Sequence, residues 1–187
     1  MPLDSAVAAA TLVADHASKR NLVPFARDWG ATDLNGAYTI QAAFVERMLP
    51  LKGPRVGFKI GLTSRRMQQM CSIDHPVAGV VLADRLAKSG VQWRLSTLVR
   101  LGIEFEICVR LGRPLLPRAA PWTLEDVAQA VGAVCPAFEV IDDRNSPYPL
   151  DILSLVADNA WNEGIVQGEY VTTWPDLAAA SGVVELD

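Results

Sequence analysis

The chain has little of what several large functional classes require. It carries only three cysteines, Cys71, Cys108 and Cys135, an odd number with no Cys-x-x-Cys spacing. This suggests neither a disulfide framework nor a thiolate zinc site, and reduced thiols in a cytoplasmic protein are expected. Histidine is scarcer still. His16 falls in a helix and His75 precedes Pro76, neither has a metal-like partner in the sequence, and both are read as structural or surface residues. Basic excess is missing: 17 Lys and Arg oppose 21 Asp and Glu, for a formal net charge of -4. A nucleic-acid partner needs the opposite sign. The five tryptophans are scattered, which gives no stacking platform for bases. Long apolar runs are absent too. The longest, near residues 6–14, is broken by Thr11 and far too short to span a bilayer. The start, Met1-Pro2-Leu3-Asp4, lacks the basic region of a signal peptide, so no targeting to a membrane is expected.

What is present fits one domain of 187 residues, half of them apolar, with no repeats. The pattern predicts helices over residues 5–20, with Asp4 or Ser5 as cap, and from Asp33 to a stop at Pro50, Gly53 and Pro54. A short helix is predicted over 64–70. Another should begin at Thr123, with an apolar stripe Leu124, Val127, Val131 and Val134, and a last one should run from Trp174 to Ser181. Strands are predicted at 56–62, 77–82, 104–111, 137–141 and 165–168, with a strand start at 183–186. Asp142, Asp143 and Arg144 read as a turn with a surface ion pair. The mixture gives an α+β fold, helical over about 1–50 and strand-rich over about 55–187.

Two features carry chemistry. Glu104 and Glu106 are two apart on a strand and project from one face, and Glu139 interrupts a second apolar strand. Like charges so close are unfavourable without a cation, and oxygen donors alone favour Mg²⁺, Mn²⁺ or Ca²⁺. On the residues alone a blander arrangement stays open, with Glu104 and Glu106 on a solvated face and Glu139 paired to an arginine. Lys59 lies between Gly57 and Gly61 in an apolar segment. It is either drawn inward for acid/base or carboxylate-binding use, or it snorkels to solvent. Strand alternation puts Phe58 and Ile60 on the side opposite Lys59.

Four ordered segments carry a family resemblance: Gly57-Phe58-Lys59-Ile60-Gly61-Leu62-Thr63-Ser64, Ile103-Glu104-Phe105-Glu106-Ile107, Pro136-Ala137-Phe138-Glu139-Val140-Ile141-Asp142 and Val156-Ala157-Asp158-Asn159-Ala160. Together the chain resembles the 2-keto-4-pentenoate hydratase and 2-oxo-3-hexenedioate decarboxylase group of the fumarylacetoacetase-like superfamily. The resemblance implies a mixed β-roll with outer helices, incomplete here at the C-terminus, because the family pattern continues with a further helix and strand-loop. It implies Mg²⁺ or Mn²⁺ on Glu104, Glu106 and Glu139, and Lys59 beside the substrate. It also implies Asp84 as a second acid/base group, and Asp158 and Asn159 at the pocket edge. The implied activity is hydration of 2-hydroxy-2,4-dienoates from aromatic-compound breakdown. Its alternatives are decarboxylation of 2-oxo-3-hexenedioate, or service as an inactive partner of a full-length relative. A small 2-keto acid is the implied ligand, and either a homo-oligomer or pairing with a related full-length chain is expected. Departures are Leu101-Gly102, where members often have Pro-Arg, and the 75–79 segment, which lacks an acidic-aromatic pair.

Overall fold

The computed structural model describes residues 2–183 and 185. Helix α1 (Ser5–Ala17) is capped by Asp4, whose carboxylate accepts from the Val7 N–H. Helix α2 (Leu34–Lys52) is capped by Asp33, which accepts from the Gly36 N–H. Pro50 does not stop α2, contrary to the sequence expectation. It sits inside the last turn, where a missing N–H removes a single helical bond. The stop is Gly53, at φ 78°, a left-handed position that glycine tolerates.

Strand β1 (Arg55–Gly61) pairs antiparallel with β2 (Val77–Leu82), and the short α3 (Arg65–Met70), capped by Ser64, lies between them. A second sheet has the order β3-β6-β5-β4, with β3 (Leu86–Lys88), β4 (Leu101–Leu111), β5 (Val131–Asp142) and β6 (Asn162–Gln167). Only β3 and β6 run parallel.

The stripe expected for one long helix after Thr123 is divided between two elements. Helix α4 (Leu124–Ala128) has the full Thr123–Asp126 capping box but ends early, and Val131 and Val134 belong to β5. Residues 177–179 form only a single 3-10 turn in place of the helix expected over 174–181. The strand expected at 183–186 falls largely outside the described residues, and Val183 itself is in no strand.

The core lies between α1, α2, α5 (Ile152–Ala157) and β2, built from Leu12, Ile40, Phe44, Val45, Val77 and Val156 among others. A small second cluster of Val81, Ala137 and Ile165 joins the two sheets. That junction sets the β1–β2 pair over β5 and β6. The outer faces of the strands remain open. Phe58 is 74% exposed, Phe105 60%, and Ile103, Ile107, Val109 and Phe138 are exposed as well. No helix among the described residues is long and apolar enough to cross a membrane.

Candidate metal centre

Register brings the three glutamates together. Glu104 stands directly opposite Glu139 across the β4–β5 ladder, and Glu106 is opposite Ala137. Because strand side chains alternate, all three carboxylates share one face. One oxygen from each lies within 4.8 Å of the others, the only such group of three or more potential ligands among the described residues. Glu139 is only 1% exposed, while Glu104 and Glu106 lie nearer the surface.

Lys59 reaches the same place from β1. Its face of the β1–β2 pair carries Gly57 and Gly61 on its own strand and Gly79 directly across. The lysine thus stands among glycines, with Val77 and Val81 as the larger neighbours on that face. It is 8% exposed, whereas Phe58 and Ile60 point outward, as alternation requires. Gly79 is demanded by this packing: a Cβ there would lie 2.6 Å from the Asn159 carbonyl oxygen and 3.1 Å from Lys59 Cδ. The Lys59 Nζ lies 3.2 Å from Glu139 Oε2 and donates to the Ala160 carbonyl at 3.2 Å. Asn162 Nδ2 donates to Glu139 Oε1 at 2.8 Å. Both Glu139 oxygens are therefore engaged, yet each keeps a lone pair free.

Electrostatics favour a cation here. Burial pushes the Glu139 carboxyl above the usual range, against the opposing pull of Lys59 and Asn162. Burial and the neighbouring Glu104 likewise raise Glu106, although Lys59 opposes them. Among the described residues no protein group donates a hydrogen bond to the Glu104 or Glu106 carboxylates. Three carboxylates against one ammonium leave a formal excess of two negative charges, and the donors are all oxygen. That set fits Mg²⁺, Mn²⁺ or Ca²⁺, which prefer such ligands.

The other expected site residues are placed differently. Asp84 follows the end of β2 that pairs with Arg55, away from the Lys59–Gly79 pair. Its carboxylate is largely exposed and bonds Lys52 Nζ at 3.1 Å, so it is not brought to the glutamates. Asp158 is 1% exposed and closed in by protein. His16 Nε2 meets one of its oxygens at 2.6 Å and Arg144 donates to the other at 2.6 Å, which leaves it no face for a substrate. Asn159 spends its amide on the β2 backbone, accepting from Val80 N–H at 2.7 Å and donating to Val80 O at 2.9 Å. Neither side chain meets the carboxylate cluster: Asn159 braces β2 beside Lys59, and Asp158 belongs to a separate ion-pair network.

Residues 159–161 carry three successive positive φ values, 52°, 49° and 60°. Such backbone is costly outside glycine, although asparagine tolerates it, and here it aims the Ala160 carbonyl at Lys59. No local signal in the sequence marks Asn162 or the Ala160 carbonyl as part of the site, because both act through a turn whose geometry only the fold reveals. One assignment is corrected. Arg144 is no surface residue: it is buried at 2% exposure against Asp158, and the surface pair joins Asp143 to Arg100. His16 is structural, as expected, but as part of a buried charge network that also includes Glu163 at 3.3 Å.

No family model matches the sequence. Relatives do. The chain is 32% identical over 139 residues to the TodF product hydratase of Pseudomonas putida strain F1, covering 74% of this chain and 51% of that protein. It is 31% identical over 153 residues to 2-keto-4-pentenoate hydratase 2 of Dechloromonas aromatica, covering 82% of this chain and 58% of that one. Among solved structures, it is similar to the 4-oxalocrotonate decarboxylase from Pseudomonas putida G7 complexed with magnesium and adipate. There the TM-score is 0.79 at 27% identity, covering 88% of this chain and 62% of the decarboxylase. The same enzyme has been solved with calcium and acetate, with a TM-score of 0.78. The chain thus spans about half the length of the first of these relatives.

Proposed function

We propose that this chain, a relative of the 2-keto-4-pentenoate hydratase and 4-oxalocrotonate decarboxylase group, is a metal-dependent hydro-lyase. Its substrates are 2-hydroxy-2,4-dienoates of the 2-keto-4-pentenoate type, formed in aromatic-compound breakdown. The observation that carries this reading is the Lys59 ammonium set against Glu139 within the three-carboxylate cluster. Glu104, Glu106 and Glu139 would hold Mg²⁺ or Mn²⁺. A divalent cation there supplies Lewis-acid stabilisation of negative charge on the C2 oxygen of a 2-keto acid.

The chain's own groups do the rest. Lys59 Nζ, oriented by the Ala160 carbonyl and Glu139, is the group that holds and moves a proton. A proton leaves the 2-hydroxyl and one is delivered to C5, which moves the double bond to C3–C4 in conjugation with the new ketone. Water then adds its oxygen to C4 and a proton to C3. The apolar Val81, Ala137 and Ile165 beside the cluster limit water on that side. Loss of the dienoate absorbance with Mg²⁺ present, and its absence after chelation or in Lys59→Ala, tests the reading.

Decarboxylation of 2-oxo-3-hexenedioate is the second reading, favoured by the likeness to a solved 4-oxalocrotonate decarboxylase. Carbon dioxide release from that substrate distinguishes it. The open apolar faces of β1, β4 and β5 support association, either with a second copy or with a related full-length chain. Light-scattering mass, with turnover measured alone and after mixing with a complete relative, separates an active oligomer from an inactive partner subunit. A soluble cytoplasmic setting is consistent with the free cysteines.

A further inference from the structure

Strand β6 separates two environments of opposite charge. Its Asn162 side chain reaches Glu139 on the side of the carboxylate cluster. The next residue, Glu163, turns the other way, toward His16 Nδ1 and an Arg85 guanidinium nitrogen at 2.6 Å. That second side opens onto a cavity of about 570 Å³, within the usual size of a small-molecule site.

The walls of the cavity are cationic and apolar. Lys19, Lys52, Arg85 and Arg94 line it, with Met48 and Trp93. Two of the four cations are neutralised locally, Arg85 by Glu163 and Lys52 by Asp84. The other two are not. Lys19 donates to the Ser96 carbonyl, and neither it nor Arg94 pairs with a carboxylate among the described residues. Trp93 is a fixed wall, since its ring closes on β6 so tightly that a Cβ at Gly164 would fall 2.3 Å from Cη2. A concave site with two uncompensated cations and a rigid aromatic face matches an anion with a flat apolar body.

We propose that this cavity is a second ligand site, separate from the carboxylate cluster, for a small planar organic carboxylate. Lys19 and Arg94 receive the carboxylate, and Trp93 and Met48 cover the apolar part. The site needs no metal ion.

The test is calorimetric titration of the full chain with benzoate in the presence of a chelator. Benzyl alcohol serves as the neutral control and inorganic phosphate as the non-planar anion. Saturable binding of one benzoate per chain is expected, with at least tenfold weaker binding in a Lys19→Ala/Arg94→Ala double variant. Both positions are exposed, so the fold tolerates their loss. Glu106→Gln should bind benzoate as the wild type does. Benzoate binding no tighter than benzyl alcohol, or unchanged in the double variant, overturns the proposal. Loss of binding in Glu106→Gln would move the ligand to the carboxylate cluster and overturn it equally. Displacement of benzoate by equimolar phosphate would refute the planar class.

Discussion

Lys59 Nζ lies 3.2 Å from Glu139 Oε2, and both side chains are almost wholly buried. Breaking a buried pair from one side leaves the remaining charge uncompensated, typically at a cost of about 3–5 kcal/mol. Lys59→Met should therefore lower the unfolding free energy of the metal-free chain by about 3 kcal/mol. Added Mg²⁺ should restore much of it, because the cation replaces the lost positive charge. Turnover should fall far more than metal affinity. Denaturant titration with and without Mg²⁺ checks this, and equal destabilisation under both conditions would count against metal at the cluster.

The glycines around Lys59 give a paired prediction. Gly79→Ala places a methyl 2.6 Å from the Asn159 carbonyl oxygen, so backbone must move, and a loss of about 2 kcal/mol or more is expected. Gly57→Ala meets nothing within 4 Å and should be close to neutral. Thermal unfolding of the two variants side by side distinguishes a specific packing demand from a general intolerance of the strands.

His16 makes stability depend on alkaline pH. Burial alone lowers its pKa, but the Asp158 carboxylate, helped by Glu163, overrides that and raises it from 6.5 to about 9. A group whose folded pKa exceeds its unfolded value stabilises the fold fully below the unfolded pKa. That contribution is lost as pH climbs through the folded pKa. Stability should thus decline between about pH 6.5 and pH 9, by about 3 kcal/mol at about 1.4 kcal/mol per unit. His16→Gln should be less stable at pH 6 and should flatten this slope. Chemical denaturation across that range reads it directly.

The outer face of the second sheet should drive association. Phe105 and Phe138 meet edge to face at 5.4 Å between centroids, and both are exposed. Phe105→Lys should shift the light-scattering mass toward the monomer without reducing metal binding, since Phe105 points away from Glu104 and Glu106. An unchanged mass would remove this face from the interface.

Local pattern carried much of this in advance. Alternation alone separated Lys59 from Phe58 and Ile60, and put Glu104 and Glu106 on one face. Cap chemistry located Asp33 and Thr123. What local pattern lacks is partnership at a distance. The opposition of Glu104 to Glu139 is a register, fixed by eleven residues of β4 lying against β5. His16, Arg144 and Asp158 come from three separate segments, so no local pattern joins them into one network. The helix expected through Val134 failed because Leu124, Val127, Val131 and Val134 satisfy helical spacing, while the residues from Val131 onward gain more from pairing in β5. Asp84 looked catalytic by its place in the family pattern, but an exposed turn delivered it to Lys52.

The central claim is that Glu104, Glu106 and Glu139 together hold one divalent ion. Calorimetric titration with Mn²⁺ or Mg²⁺ on the wild type, Glu106→Gln and Glu139→Gln tests it most directly. The account predicts one ion per chain for the wild type and at least tenfold weaker binding in each variant. Equal affinity in all three proteins would contradict it.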